Sequence, residues 1–264
     1  MMSRITAITS AMLAIAMLVM PLRASAAPKT TFADESLNYE IVYHWGLIWK
    51  HAASATLSLT ASGSHYNSRL AARTVSWADK IYRVRDTLSC QMLRDGLKPL
   101  RYVKATHEKK YIDQNIVSYT YTDTATLGKC IVIRPDRDTV ATNLSARGPV
   151  YDMVSVYYYL RTLDFDAMGK GGSTSLTIFS GKRKENLKIT YIDRREVKLR
   201  DKSRHEAYYI RFAFTQEGGK KSSDDIETWI STDERRIPLM LIGKLPIGEV
   251  RCYYAAPYPR MMLE

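Results

Sequence analysis

The sequence predicts a mainly β protein, an antiparallel curved sheet or barrel-like fold carrying one short docked helix at about residues 151–162. Three observations predict it. Most segments alternate apolar and polar residues with period two, turn-forming residues recur every eight to twelve positions or so, and only one stretch carries a helical period.

The N-terminus comes first. A basic start at Arg4, an apolar stretch from Ala11 to Met20 and a small-residue site at Ala24, Ser25 and Ala26 form an export leader, expected to be cleaved after Ala26. Pro21 and Arg23 close the apolar zone after ten residues, about half of what a membrane-spanning helix needs, roughly 20. Ala27 and Pro28 follow the cut and the first cysteine is Cys90, so no thiol stands ready for lipid attachment. The expected product is a periplasmic or secreted protein of residues 27–264, a single domain without a transmembrane segment and not a lipoprotein.

The strands follow. Val117, Tyr119 and Tyr121 alternate with Ser118 and Thr120, Leu187, Ile189 and Tyr191 with Lys188 and Thr190, and Tyr208, Ile210, Phe212 and Phe214 with Tyr209, Arg211, Ala213 and Thr215. Turn signals separate such runs at Gly46, Ser62-Gly63, Asp95-Gly96, Gly128, Asp136, Gly181, Gly218-Gly219 and Gly248. This spacing suits hairpins and meanders. Charged stretches such as Arg194 to Arg204 break the outward apolar band that a membrane-embedded barrel requires.

The helix begins after Gly148-Pro149, where Met153, Val156, Tyr157 and Leu160 recur at i, i+3, i+4 and i+7 and define one apolar face. Asp152 near the start and Arg161 near the end suit the helix dipole. So short a helix is marginal in water, so it is expected to dock on the sheet, closing one barrel end. Asp152, Ser155 and Arg161 fall off the apolar stripe. They read as a clasp tying the helix to a strand, with Asp233 or Glu227 as acceptors for Arg161, and alternatively as ligand-binding candidates together with Asp233.

Composition limits the chemistry. The chain has 39 basic and 27 acidic residues, a net charge of +12, and without the leader 37 basic residues remain, a net +10. Basic residues cluster at Lys109-Lys110, Arg134 with Arg137, Lys182 to Lys184, Arg194-Arg195, Lys220-Lys221 and Arg235-Arg236. Such charge reads either as solvated strand faces and loops or, in an exported protein, as attraction to an anionic lipid, a glycan or an envelope protein partner. Nucleic acid is disfavoured by export and by the lack of a binding motif. Three cysteines, Cys90, Cys130 and Cys252, permit at most one disulfide, the alternative being three buried thiols.

No residue is assigned a catalytic role. There is no G-x-S-x-G elbow, the five histidines show no helical ligand pairing and no metal site is expected, and no cofactor is called for. Gly169-Lys170-Gly171-Gly172-Ser173 departs from the phosphate-loop order and reads as a turn. Asp152, Asp164, Asp166 and Asp233 are the carboxylates from which a glycosidase pair would be drawn, and as readily serve caps and turns.

Two stretches resemble a known family. Tyr151 to Leu163 around the helix and Trp229-Ile230-Ser231-Thr232-Asp233 continuing to Leu239 are similar to the exported bacterial family DUF3108, as are the early strand Tyr39 to Gly46, the small-residue strand Ala52 to Leu59 and the closing Gly248-Glu249-Val250. The resemblance implies one β-rich domain in the envelope of a Gram-negative bacterium, or secreted from it. It carries no catalytic or ligand positions. The expected function is a non-enzymatic binding or envelope-assembly module, with an enzyme acting on envelope or dietary polysaccharide as the alternative.

Overall fold

The structure, a computed structural model, describes residues 31–216, 225–245 and 247–255. The expected leader and the Gly218-Gly219 turn lie outside these residues.

Fifteen strands form one sheet. The first eight are a continuous meander: β1 (Glu35–Trp45), β2 (Ile48–Ser62), β3 (His65–Thr74), β4 (Arg85–Leu93), β5 (Pro99–Glu108), β6 (Tyr111–Tyr121), β7 (Thr126–Arg134) and β8 (Arg137–Ala146). After β9 (Val150–Tyr151) and two helices the chain returns through β10 (Ser173–Phe179), β11 (Lys184–Lys198), β12 (Arg204–Gln216), β13 (Ile226–Ser231), β14 (Pro238–Lys244) and β15 (Glu249–Ala255). The two runs join where β15 pairs antiparallel with β1, from His44↔Glu249 to Asn38↔Ala255. The two-residue β9 lies parallel to β10 and is the exception to the antiparallel pattern.

Alternation explains the wall. Leu187, Ile189, Phe212 and Phe214 point inward in register, Leu187 opposite Phe214 and Ile189 opposite Phe212, while Lys188 and Arg211 are exposed. Register shifts at Ile41/Val42, Gln91/Met92, Val132/Arg134, Tyr191/Asp193 and Trp229/Ile230 add local twist that bends the sheet upon itself. Its edges, β8 and β9, approach without a shared ladder, leaving the barrel nearly closed.

Gly128 is not a turn. It sits in the middle of β7, where a Cβ would lie 2.7 Å from Phe179 of β10, so a side chain is excluded by the packing of one wall against the other. The ring of Phe179 stacks on Tyr119 of β6, centroids 5.8 Å apart.

Three short helices are described rather than one. The segment α1 (Ser76–Tyr82) links β3 to β4, α2 (Ser155–Arg161) is the expected helix, and α3 (Phe165–Met168) follows it. The bond from Val156 N–H to Asp152 O extends the helical turn of α2 back to Asp152. This helix is not docked by one face. Val156 and Leu160 are buried on the stripe, and so are Ser155, Tyr158 and Arg161 off it, so α2 is a cork within one end of the barrel. Burial of Val156, Tyr158 and Leu160 stabilises this placement by about 1.5–3 kcal/mol each.

Candidate functional site

The pairings give the barrel a polarity. The β2–β3, β4–β5, β6–β7, β11–β12 and β13–β14 turns share the corked end, whereas the β1–β2, β5–β6, β7–β8, β10–β11 and β14–β15 turns surround the opposite end, here called the mouth.

At the cork, the sequence-derived candidates separate into two groups. Asp152 and Ser155 cap each other reciprocally: Ser155 N–H donates to Asp152 Oδ1 at 2.9 Å and Asp152 N–H donates to Ser155 Oγ at 2.9 Å. Val154 N–H also donates to Asp152 Oδ1 at 2.7 Å, and the Cys90 thiol donates to Oδ2 at 2.9 Å. Burial pushes the Asp152 carboxyl above its ordinary range despite these donors, and burial together with the neighbouring carboxylate pushes the Cys90 thiol up. Cys130 and Cys252 are likewise raised by burial, each to about 11. All three cysteines are free thiols.

Arg161 is fully buried and forms a fork with Glu35 of β1, Nη2 donating to Oε2 at 3.0 Å and Nη1 to Oε1. The acceptors named from sequence are displaced by this one, because Glu35 opens the strand beside the helix C-terminus. Asp233 instead orders its own turn, accepting from Ser231 Oγ at 2.7 Å and from Arg235 N–H at 3.1 Å. That turn does reach Arg161, whose Nη2 donates to Arg235 O at 2.9 Å. The Phe32 ring lies 4.7 Å from the guanidinium. Asp164 caps α3 by accepting from Ala167 N–H at 2.9 Å, and Asp166 binds Arg194 Nη2 at 2.5 Å and the Tyr208 hydroxyl at 2.7 Å. Among the described residues no three His, Cys, Asp or Glu side chains converge as metal ligands.

The accessible site lies at the mouth, on residues that the sequence did not single out as a set. A half-open cavity of about 590 Å³ is floored by Met153 and Tyr102 and bounded by Lys104, Glu108, Asp113 and Asn115 from β5 and β6, by Arg134 from β7, and by Lys182, Arg183 and Glu185 from the β10–β11 hairpin. Asp113 is held by Arg134 Nε at 2.9 Å and by the Tyr111 hydroxyl at 3.0 Å. Glu108 accepts from the Tyr82 hydroxyl at 2.5 Å. Lys104, Lys182 and Arg183 form no ion pair among the described residues. The Tyr102 hydroxyl is buried there without a hydrogen-bond partner.

This cavity continues down the seam where the sheet fails to close. Lys182 and Arg183 also border a groove of about 420 Å³ against Thr142 to Ser145 of β8, and Lys184 leads from it to a further space of about 250 Å³ beside Arg147. The cleft therefore carries Lys104, Arg134, Arg147 and Lys182 to Lys184 against Glu108, Asp113 and Glu185, an excess of cations along the seam. One sequence signal did exist: Tyr102, Lys104, Thr106 and Glu108 keep strict alternation while the inward set turns polar toward the mouth.

A family model described as a protein of unknown function, DUF3108, matches residues 38–254. Among solved structures, the chain is similar to the crystal structure of a β-barrel-like protein of the domain of unknown function DUF1849 from Brucella abortus, with a TM-score of 0.59 and 13% identity, covering 85% of this chain and 97% of that one. A likeness at that identity speaks for the fold alone. A comparison with curated proteins finds no match.

Proposed function

The chain belongs to the DUF3108 family, and from that premise we propose that it is an exported envelope protein that binds, without catalysis, an anionic ligand along the open seam of its barrel. The observation that carries the reading is the basic cleft, in which Lys104, Lys182 and Arg183 form no ion pair among the described residues, beside the orphaned Tyr102 hydroxyl. Unpaired cations in a concave site strengthen the local field and draw phosphate or carboxylate groups. The wall argues against an apolar tail threading the barrel axis, because α2 and a continuous core fill that space. The export leader in the sequence supports the envelope location.

Native mass spectrometry of protein purified gently from its host tests the proposal. An anionic lipid or acidic saccharide is expected on the wild type, and a Lys104→Gln, Lys182→Gln, Arg183→Gln variant is expected to lose it. Titration with glycerol phosphate and with an acidic oligosaccharide separates a lipid headgroup from a glycan as the source. Equal loading of the variant and the wild type, or uptake of neither probe, removes the reading.

A further inference from the structure

A second feature of the mouth stands outside the cleft. The β1–β2 and β14–β15 hairpins lie side by side, joined by the Tyr43 hydroxyl donating to Ile247 O at 3.1 Å, and Gly248 packs so close that a Cβ would lie 2.4 Å from His44 O. Their shared apex exposes Trp45, Leu47, Ile48, Trp49, Leu245 and Ile247, with Leu47 wholly exposed at 101% and Ile247 at 63%. Because β3 ends opposite Ala53, this double hairpin projects beyond β3.

The apolar surface continues along the rim. Lys50 Nζ lies 4.3 Å from the Trp77 ring of α1, whose indole N–H donates to His51 O at 2.7 Å, and α1 then exposes Ile81 and Tyr82. The β5–β6 turn joins it through Lys109 N–H, which donates to Arg83 O at 2.9 Å, and exposes Tyr111 and Ile112. Ten of the thirteen exposed large apolar side chains among the described residues sit on these three neighbouring features, so the exposure is concentrated rather than scattered.

Once internal pairs are removed, cations outnumber acids around this surface, Glu108 remaining as an acid bound to the Tyr82 hydroxyl at 2.5 Å. Glu249 is bound by His44 at 3.0 Å and Arg251 at 2.6 Å, and Asp79 by Arg85 at 2.6 Å. Lys50, Lys80, Arg83, Lys109, Lys110 and Lys244 form no ion pair among the described residues. Tryptophan and tyrosine at a projecting tip, backed by lysines that reach past them, match the chemistry of a lipid–water interface, where rings sit at headgroup depth and cations meet anionic headgroups.

We propose that the double-hairpin apex docks on an anionic bilayer, with Trp45, Leu47, Ile48, Trp49 and Ile247 entering the headgroup layer and Lys50 and Lys244 pairing with lipid phosphates, so that the barrel mouth faces the membrane. A protein partner fits less well, since projecting apolar tips ringed by unpaired lysines need no shape-matched counterpart to be buried in lipid.

The test uses the processed chain recovered from the envelope of an exporting bacterium, floated with vesicles of phosphatidylglycerol and phosphatidylcholine or of phosphatidylcholine alone. Flotation with the anionic vesicles and a blue shift of tryptophan fluorescence are expected. Replacement of Leu47, Ile48 and Ile247 by Ser together is expected to weaken partitioning by about tenfold or more with an unchanged melting temperature. Lys50→Gln with Lys244→Gln is expected to lower binding in dilute salt and to lessen its salt dependence. A Lys182→Gln, Arg183→Gln variant is expected to float as the wild type does, which keeps this proposal separate from ligand binding in the cleft. Failure of the wild type to bind anionic vesicles, undiminished flotation of the apex variant, a dimer that the apex variant dissociates in place of vesicle binding, or loss of flotation through the cleft variant alone overturns the proposal.

Discussion

At the scale of the residue, the deepest polar commitments of the chain hold the cork in place. Arg161 meets Glu35, Arg235 O and the rings of Phe32, Tyr157 and Tyr158 with no exposure of its own. Nearby, Tyr39 donates to Pro238 O at 3.1 Å and shares a 2.5 Å hydroxyl–hydroxyl bond with Tyr157, and burial pushes both hydroxyls to higher pKa. Removing one side of a buried ion pair strands the other, so Arg161→Met is expected to destabilise the fold by about 3 kcal/mol. The Glu35 side chain keeps some contact with water, at 17% exposure, which holds the cost near the lower end of the usual range. Urea denaturation of Arg161→Met, Glu35→Gln and the double variant measures this. The double variant is expected to lose less than the sum of the single ones, and strict additivity would show that the pair does not act as a clasp.

At the scale of the element, the seam decides whether this sheet behaves as a barrel. No ladder joins β8 to β9, so closure rests on side chains: Phe179 against Gly128, its stack on Tyr119, and Lys184 Nζ donating to Ser145 O at 3.3 Å. Gly128→Ala puts a methyl into the fully buried Phe179 ring and is expected to cost about 1–3 kcal/mol through overpacking, read as a lower urea midpoint. Adding Phe179→Leu makes room and is expected to recover part of that loss, whereas a neutral Gly128→Ala would mean that the two walls are not pressed together. The sequence showed the strands and α2 because periods of two and of i, i+3, i+4, i+7 reflect local burial. It did not show α1, whose seven residues leave Ile81 and Tyr82 in solvent and so carry no apolar stripe. Gly128 read as a turn because a glycine required by a distant ring looks, from sequence, like one required by its own backbone. The cleft was illegible for the same reason: Lys104, Asp113, Arg134 and Lys182 to Glu185 become neighbours only after the sheet has curled through eight strands.

At the scale of the whole molecule, both halves of the chain feed one core. The buried cluster runs without a break from Leu37 and Leu57 through Tyr102, Val117 and Cys130 to Tyr158, Ile189, Phe212 and Tyr254, drawing on the first eight strands and the last six alike. The β1–β15 ladder closes a loop of about 200 residues, so those seven paired positions form against a large entropy and become secure only when the rest of the wall is in place. Neither half is therefore expected to be stable alone, and residues 27–264 are expected to unfold as a single cooperative unit. Tryptophan fluorescence reports on the mouth through Trp45, Trp49 and Trp77 and on the later strands through Trp229 of β13, which stacks on Tyr209 at 4.8 Å, while far-ultraviolet circular dichroism follows the strands. The two signals are expected to trace one urea transition with one midpoint. Separate midpoints, or a protease-resistant fragment ending between β8 and β10, would divide the chain into two domains and return the β1–β15 ladder to the status of an interface between them.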